Sequence, residues 1–137
     1  MAEIKIYCDG GCKGNHQKED ERHAYGSFKV FYMDKEKKHV QLTFSKANGS
    51  NEAEYGALLS VFQYISELKG RATEPLPGIE ILMDSKLIVT QVTGAAKVKA
   101  ANLKPLHATA VAWLSQNPEI VTFSLIPGTE MKSILGH

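Results

Sequence analysis

Cysteine is scarce in this chain of 137 residues, with Cys8 and Cys12 as its only two. They lie four apart, with no second pair and no histidine at ligand spacing. That argues against a disulfide framework or a zinc site, and reads as a strand residue and a loop thiol in a reducing compartment. Charge of one sign is lacking too: 16 Lys and Arg against 15 Asp and Glu leave a formal +1. Only a local patch can then bind phosphate. No apolar run approaches the ~18 residues of a membrane span, and no basic-then-apolar leader opens the chain. A cytoplasmic protein with no membrane partner is expected. Without internal repeats, low-complexity tracts or a Pro/Gly/Ser-rich linker, residues 1–137 read as a single domain, expected to be a monomer. A Gly-x-Ser-x-Gly elbow and a Gly-Lys-Ser/Thr phosphate loop are also missing, which removes two common routes to hydrolysis.

What is present is an α/β order. Residues 3–9 alternate as a strand that Asp9 closes before two glycines, Gly10 and Gly11, where another molecule can approach the backbone. Residues 24–34 and 37–47 read as two further strands joined by the charged turn Asp34-Lys35-Glu36. The period then changes. Leu58, Val61, Phe62, Ile65 and Leu68 recur at helical spacing, with Ser50 or Asn51 as a cap and Gly70 as the stop. The run 79–84 is a short strand buried on both faces, and 85–94 a helix. A second long helix starts near Pro105, and a last strand runs within 119–128. Three strands, a helix, a strand, helices and a strand make a mixed sheet covered by helices.

The carboxylates are the anomaly. At 100° per residue Glu54 shares a line with Leu58, Val61 and Ile65, inside the apolar stripe, while Glu52 points to solvent. An unpaired carboxylate there costs several kcal/mol, so it needs a cation, a proton or a wet cleft. Asp84 ends an apolar strand as Asp9 does, although it could equally cap the following helix. Three acids at the ends of core elements, without a converging His or Cys, suit Mg²⁺ or Mn²⁺. Two such ions can clamp the attacking and leaving oxygens of a phosphodiester. The five histidines, at 16, 23, 39, 107 and 137, are scattered, and His39 and His107 read as packing or solvent residues.

These motifs, "YCDGGCKGN", "SNEAEYGALL", "DSKLIVTQVTG" and "KVKAANLKPL", resemble the type 1 ribonuclease H family in order and spacing over nearly the whole chain. The match is to its shorter members, which lack an extra basic protrusion. The resemblance implies a ribonuclease H-like five-stranded mixed sheet in order 3-2-1-4-5, flanked by helices. It also implies cleavage of the RNA strand of an RNA–DNA hybrid, with Asp9, Glu54 and Asp84 as ligands of two Mg²⁺ or Mn²⁺ ions. Gly10, Gly11, Asn15 and Asn51 would line the nucleic-acid groove, near the ribose 2′-OH that distinguishes RNA from DNA. Lys97 and Lys99, alternating around Val98, would face phosphates or simply form a solvated stretch.

The chain departs from the family in two places. The charged stretch "HQKEDERH" stands where the family has glycine and proline. Where its closing helix carries a fourth aspartate, one alignment offers Leu135 and a looser one falls beyond His137, leaving Glu130 and His137 as polar substitutes in a truncated or atypical form. The alternative expectation is therefore a weakened or inactive module that binds hybrids or RNA through the same surface.

Overall fold

Ile4, Ile6 and Cys8 alternate along one strand and all three are buried against the same helix, which fixes which face of the sheet carries the core. The computed structural model describes residues 2–13, 23–44, 49–118 and 120–136. The strands are β1 (Ile4–Lys13), β2 (His23–Tyr32), β3 (Lys35–Phe44), β4 (Ile79–Met83) and β5 (Val121–Leu125). The helices are α1 (Ser50–Arg71), α2 (Lys86–Val92), α3 (Lys104–Ser115) and α4 (Gly128–Leu135). The five strands lie in the order β3-β2-β1-β4-β5. Pairing is antiparallel for β1–β2 and β2–β3 and parallel for β1–β4 and β4–β5. That is the mixed sheet expected from the sequence.

The main core joins Ile4, Ile6, Cys8, Phe28, Val30, Ile79, Ile81 and Met83 of the sheet to Leu58, Val61, Phe62 and Ile65 of α1, with Leu103 and Ala110 beside them. Trp113 of α3 stacks on Phe62 with ring centroids 4.1 Å apart and donates its indole N–H to Ser66 at 2.8 Å. This ties α3 to α1 by both an apolar and a polar contact. Met131 and Leu135 of α4 are buried outside that core while α4 touches β1 and β2, so α4 covers the other face.

Several boundaries differ from the sequence reading, each for a physical reason. β1 does not stop at Asp9; it pairs with β2 through Asp9–Ser27, Gly10–Gly26, Gly11–Tyr25 and Cys12–Ala24. Cys12 is therefore a buried strand residue rather than a loop thiol. The hairpin turn is Met33-Asp34, not Asp34-Lys35-Glu36; both residues have positive φ, 51° and 66°, as a two-residue hairpin requires. Without Gly or Asn there, the sequence hides the turn. α1 starts from Gly49 without a side-chain cap and runs through Gly70 to Arg71, so neither Ser50 nor Asn51 caps it. α2 is shorter than 85–94 because Ser85 is its cap, accepting a hydrogen bond from Ile88 N at 3.3 Å.

Candidate active site

Parallel pairing of β1 with β4 ends at Tyr7–Leu82. Two residues further along each strand, the same register sets Asp9 beside Asp84, just past the carboxyl end of β4. Asp84 does not cap α2, because Ser85 does. Asp9 is buried, at 9% exposure.

Gly10 brings the third acid in. A Cβ at this position would fall 2.5 Å from the carbonyl oxygen of Ala53 and 2.8 Å from Cα of Glu54. Only glycine lets β1 lie against the first turn of α1 so closely. The backbone at Gly10 is approached by the protein's own helix. Gly11 is also buried, and a Cβ on it would meet the hydroxyl of Tyr25 at 2.5 Å.

Glu54 sits at the head of the fully buried line Leu58, Val61 and Ile65. Among the described residues, its Oε2 is buried with no hydrogen-bond partner. Its pKa is pushed up from 4.5 to about 7, chiefly by burial and further by the charges of Asp9 and Asp84, against a lowering hydrogen bond from Ser85. The same three charges, added to burial, hold the Tyr25 phenol above its ordinary value. Burial and those carboxylates also raise the Cys8 thiol well above its usual range, which keeps it protonated and inert. Asp9, Glu54 and Asp84 thus share one electrostatic neighbourhood, although 45 and 30 positions separate them along the chain (54 − 9 and 84 − 54).

The donor set fits a hard divalent cation. All three donors are carboxylates, and among the described residues one buried oxygen, Glu54 Oε2, has no hydrogen-bond partner. Among the described residues no three His, Cys, Asp or Glu side chains are close enough to form a ready-made ligand cluster. The acids share one electrostatic neighbourhood without being closed into a coordination sphere.

The other candidates fall on the rim or elsewhere. Asn51 is exposed in the first turn of α1. Lys97 and Lys99 are exposed between α2 and α3, on either side of Val98, which packs on the core. Glu52 is half-buried rather than in open solvent and accepts a 2.9 Å hydrogen bond from Asn102, tying the end of this basic segment to α1. Glu130 is exposed in the first turn of α4 and is not among the charges that shift Glu54. Leu135, at the position aligned with a fourth aspartate, is 3% exposed and packs inward. His107 contacts the Gln91 carbonyl at 3.0 Å, a packing role as expected. Asn15 and His137 lie outside the described residues.

Sequence reasoning missed two neighbours of the acids. Ser85 both caps α2 and hydrogen-bonds Glu54; the dipeptide Asp-Ser before a helix was its signal. Tyr25 shares the face of Asp9 by strand alternation, which became visible only with the β1–β2 register.

No protein-family profile and no curated protein matches the chain. Solved structures do. The chain is similar to LC11-RNase H1, isolated from compost by a metagenomic approach, with a TM-score of 0.81 and 25% identity over 97% of this chain and 90% of that one. The same enzyme in complex with an RNA/DNA hybrid gives 0.79 and 24% over 95% and 89%. The N-terminal RNase H domain of a Mycobacterium tuberculosis protein gives 0.74 and 27% over 97% and 88%. In strand order and over nearly all of its length, the chain has the fold of these type 1 ribonuclease H structures and is similar to them.

Proposed function

We propose that the chain is an endoribonuclease that hydrolyses the RNA strand of RNA–DNA hybrids, with Asp9, Glu54 and Asp84 as its metal-holding and catalytic acids. The observation that carries this reading is the orphaned, buried oxygen of Glu54 beside two further carboxylates. A protein keeps such an arrangement at a cost of several kcal/mol unless a cation or proton offsets it. That a family relative is solved with a hybrid bound supports the substrate class. Two Mg²⁺ or Mn²⁺ ions held there would supply positive charge to a phosphodiester attacked by water and losing its 3′-oxygen.

The chain's own residues do the rest. Gly10 seats α1 against β1, so Glu54 is presented beside Asp9 at no cost in packing. Ser85 fixes the rotamer of Glu54 through its single hydroxyl proton, while its lone pair caps α2. Asn51, exposed in the first turn of α1, would read a ribose 2′-OH, and the exposed Lys97 and Lys99 would offer two phosphate contacts. Affinity is then modest and salt-sensitive.

Labelled hybrid, incubated with Mg²⁺, Mn²⁺ or a chelator, tests the reading. Cleavage of the RNA strand with either ion and none in chelator is expected. With Leu135 in place of an acid, Mn²⁺ should support the faster rate, since it accepts a poorer ligand set. Retained hybrid binding without cleavage under any ion would overturn the enzymatic reading.

A further inference from the structure

Gly11 and Tyr25 are cross-strand partners on β1 and β2. A Cβ on Gly11 would fall 2.5, 2.7 and 2.9 Å from Oη, Cζ and Cε1 of Tyr25. The distal end of the tyrosine therefore occupies the space that any side chain at position 11 would need, and the ring is held across the glycine rather than swung into solvent. Alternation places Asp9 and Gly11 on one face, and their partners Ser27 and Tyr25 with them. The phenol lies over Gly11, two residues along β1 from Asp9 on that same face, which sets its hydroxyl on the side of the sheet that carries Asp9.

A cleft walled by three carboxylates repels a phosphodiester. A lysine among them would attract it but would also pair with the acids. A neutral O–H avoids both problems: it donates to a phosphate oxygen and adds no charge. The ring clamped over Gly11 also loses little freedom when the contact forms.

We infer that Tyr25 is a substrate-contacting residue whose hydroxyl donates a hydrogen bond to a backbone phosphate oxygen of the nucleic acid at the carboxylate cleft, and that Gly11 exists to let it stand there. This rests on the hybrid-cleaving reading above and names a contact which that reading does not contain.

The test is hybrid binding by the full chain in chelator, followed by fluorescence anisotropy across a salt series, with melting temperature recorded in parallel. Tyr25→Phe should weaken binding about tenfold, as loss of a hydrogen bond to a charged group does, with the slope of affinity against salt unchanged because no cation is removed. Gly11→Ala keeps the hydroxyl but displaces the ring, so it should weaken binding to a similar degree. The double variant should bind no worse than either single one, because both remove the same contact. With Mg²⁺ or Mn²⁺ present, Tyr25→Phe should also lower kcat/KM by the same factor. Native-like binding by Tyr25→Phe overturns the inference, as does a lower melting temperature or altered salt slope accounting for its loss. If the native chain binds and cleaves hybrid while Tyr25→Phe is indistinguishable from it, this contact alone fails. If the native chain neither binds nor cleaves, the functional reading falls and takes the contact with it.

Discussion

α1 and α4 cover β1 from opposite faces, and both begin at the carboxylate cleft, yet only α1 brings an acid to it. α1 places Glu54 at the head of a buried line of Leu58, Val61 and Ile65. α4 buries Met131 and Leu135, turns Glu130 to solvent, and reaches the cleft through Gly128, where a Cβ would sit 3.4 Å from Oδ2 of Asp84. The lesson is positional. A helix contributes chemistry through the few side chains at the junction of its buried face and its terminal turn, and whatever occupies those positions decides whether it is catalytic wall or plain cover.

The contrast breaks most sharply at the acids themselves. Glu54→Gln, Asp9→Asn or Asp84→Asn should each reduce hybrid cleavage to the level of a protein-free control, whereas Glu130→Ala should leave the rate within about twofold, as exposed substitutions usually do. A silent Glu54→Gln, seen by gel assay, would make α1 as inert as α4. The next largest effect belongs to α4's buried face. Leu135→Asp restores an acid in sequence but puts an unpaired carboxylate among buried side chains, and should destabilise the protein by about 3 kcal/mol without accelerating cleavage. Denaturant unfolding measures the first and initial rates the second.

Smaller, and specific to α1, is a pH effect in metal-free buffer. Glu54 titrates near 7 in the folded chain and near 4.5 unfolded. Below about pH 4.5 both states keep the proton, and stability is unaffected. Between 4.5 and 7 the unfolded chain ionises while the folded one does not, so stability falls, and above 7 the loss is complete. Allowing for partial solvent screening, the loss is on the order of 2 kcal/mol. Melting curves at pH 5 and pH 8 in chelator should show it. Glu54→Gln should flatten the difference and raise the melting temperature at pH 8. The smallest effect lies in the exposed segment between α2 and α3: Lys97→Ala with Lys99→Ala should weaken hybrid binding a few-fold and reduce the salt slope by about two phosphate contacts' worth. An unchanged slope would remove this segment from the groove.

The alternation of strands and helices left a periodic trace, the strand order came with the family resemblance, and the three acids stood out against their neighbours in the sequence. Glu54 interrupts a helical stripe, and Asp9 and Asp84 lie beside alternating or apolar runs. The role of Gly10 was hidden, since the residue that needs it, Ala53, is 43 positions away (53 − 10) and close packing leaves no local signature. Extension of β1 to Lys13 was hidden likewise: glycines disfavour a strand locally, and only pairing with β2 and cover by α1 override that preference. The Met33-Asp34 turn escaped because Met33 is not a residue that usually takes positive φ, and Asp34 lacks the glycine that normally accompanies it.

The uneven ladders of β1 carry one more implication. Its pairing with β2 continues to Lys13, whereas its pairing with β4 ends at Tyr7. From Cys8 onward β1 is central by strand order but a sheet edge by β-pairing on its β4 side. Long exposed edges invite strands from other molecules and so promote aggregation. This one is short, has α1 packed closely over one face at Gly10, and is bordered by negative charge from Asp9 and Asp84. The sheet therefore opens in its middle at the carboxylates, and the same charge that marks the cleft discourages a strand from another copy from joining there.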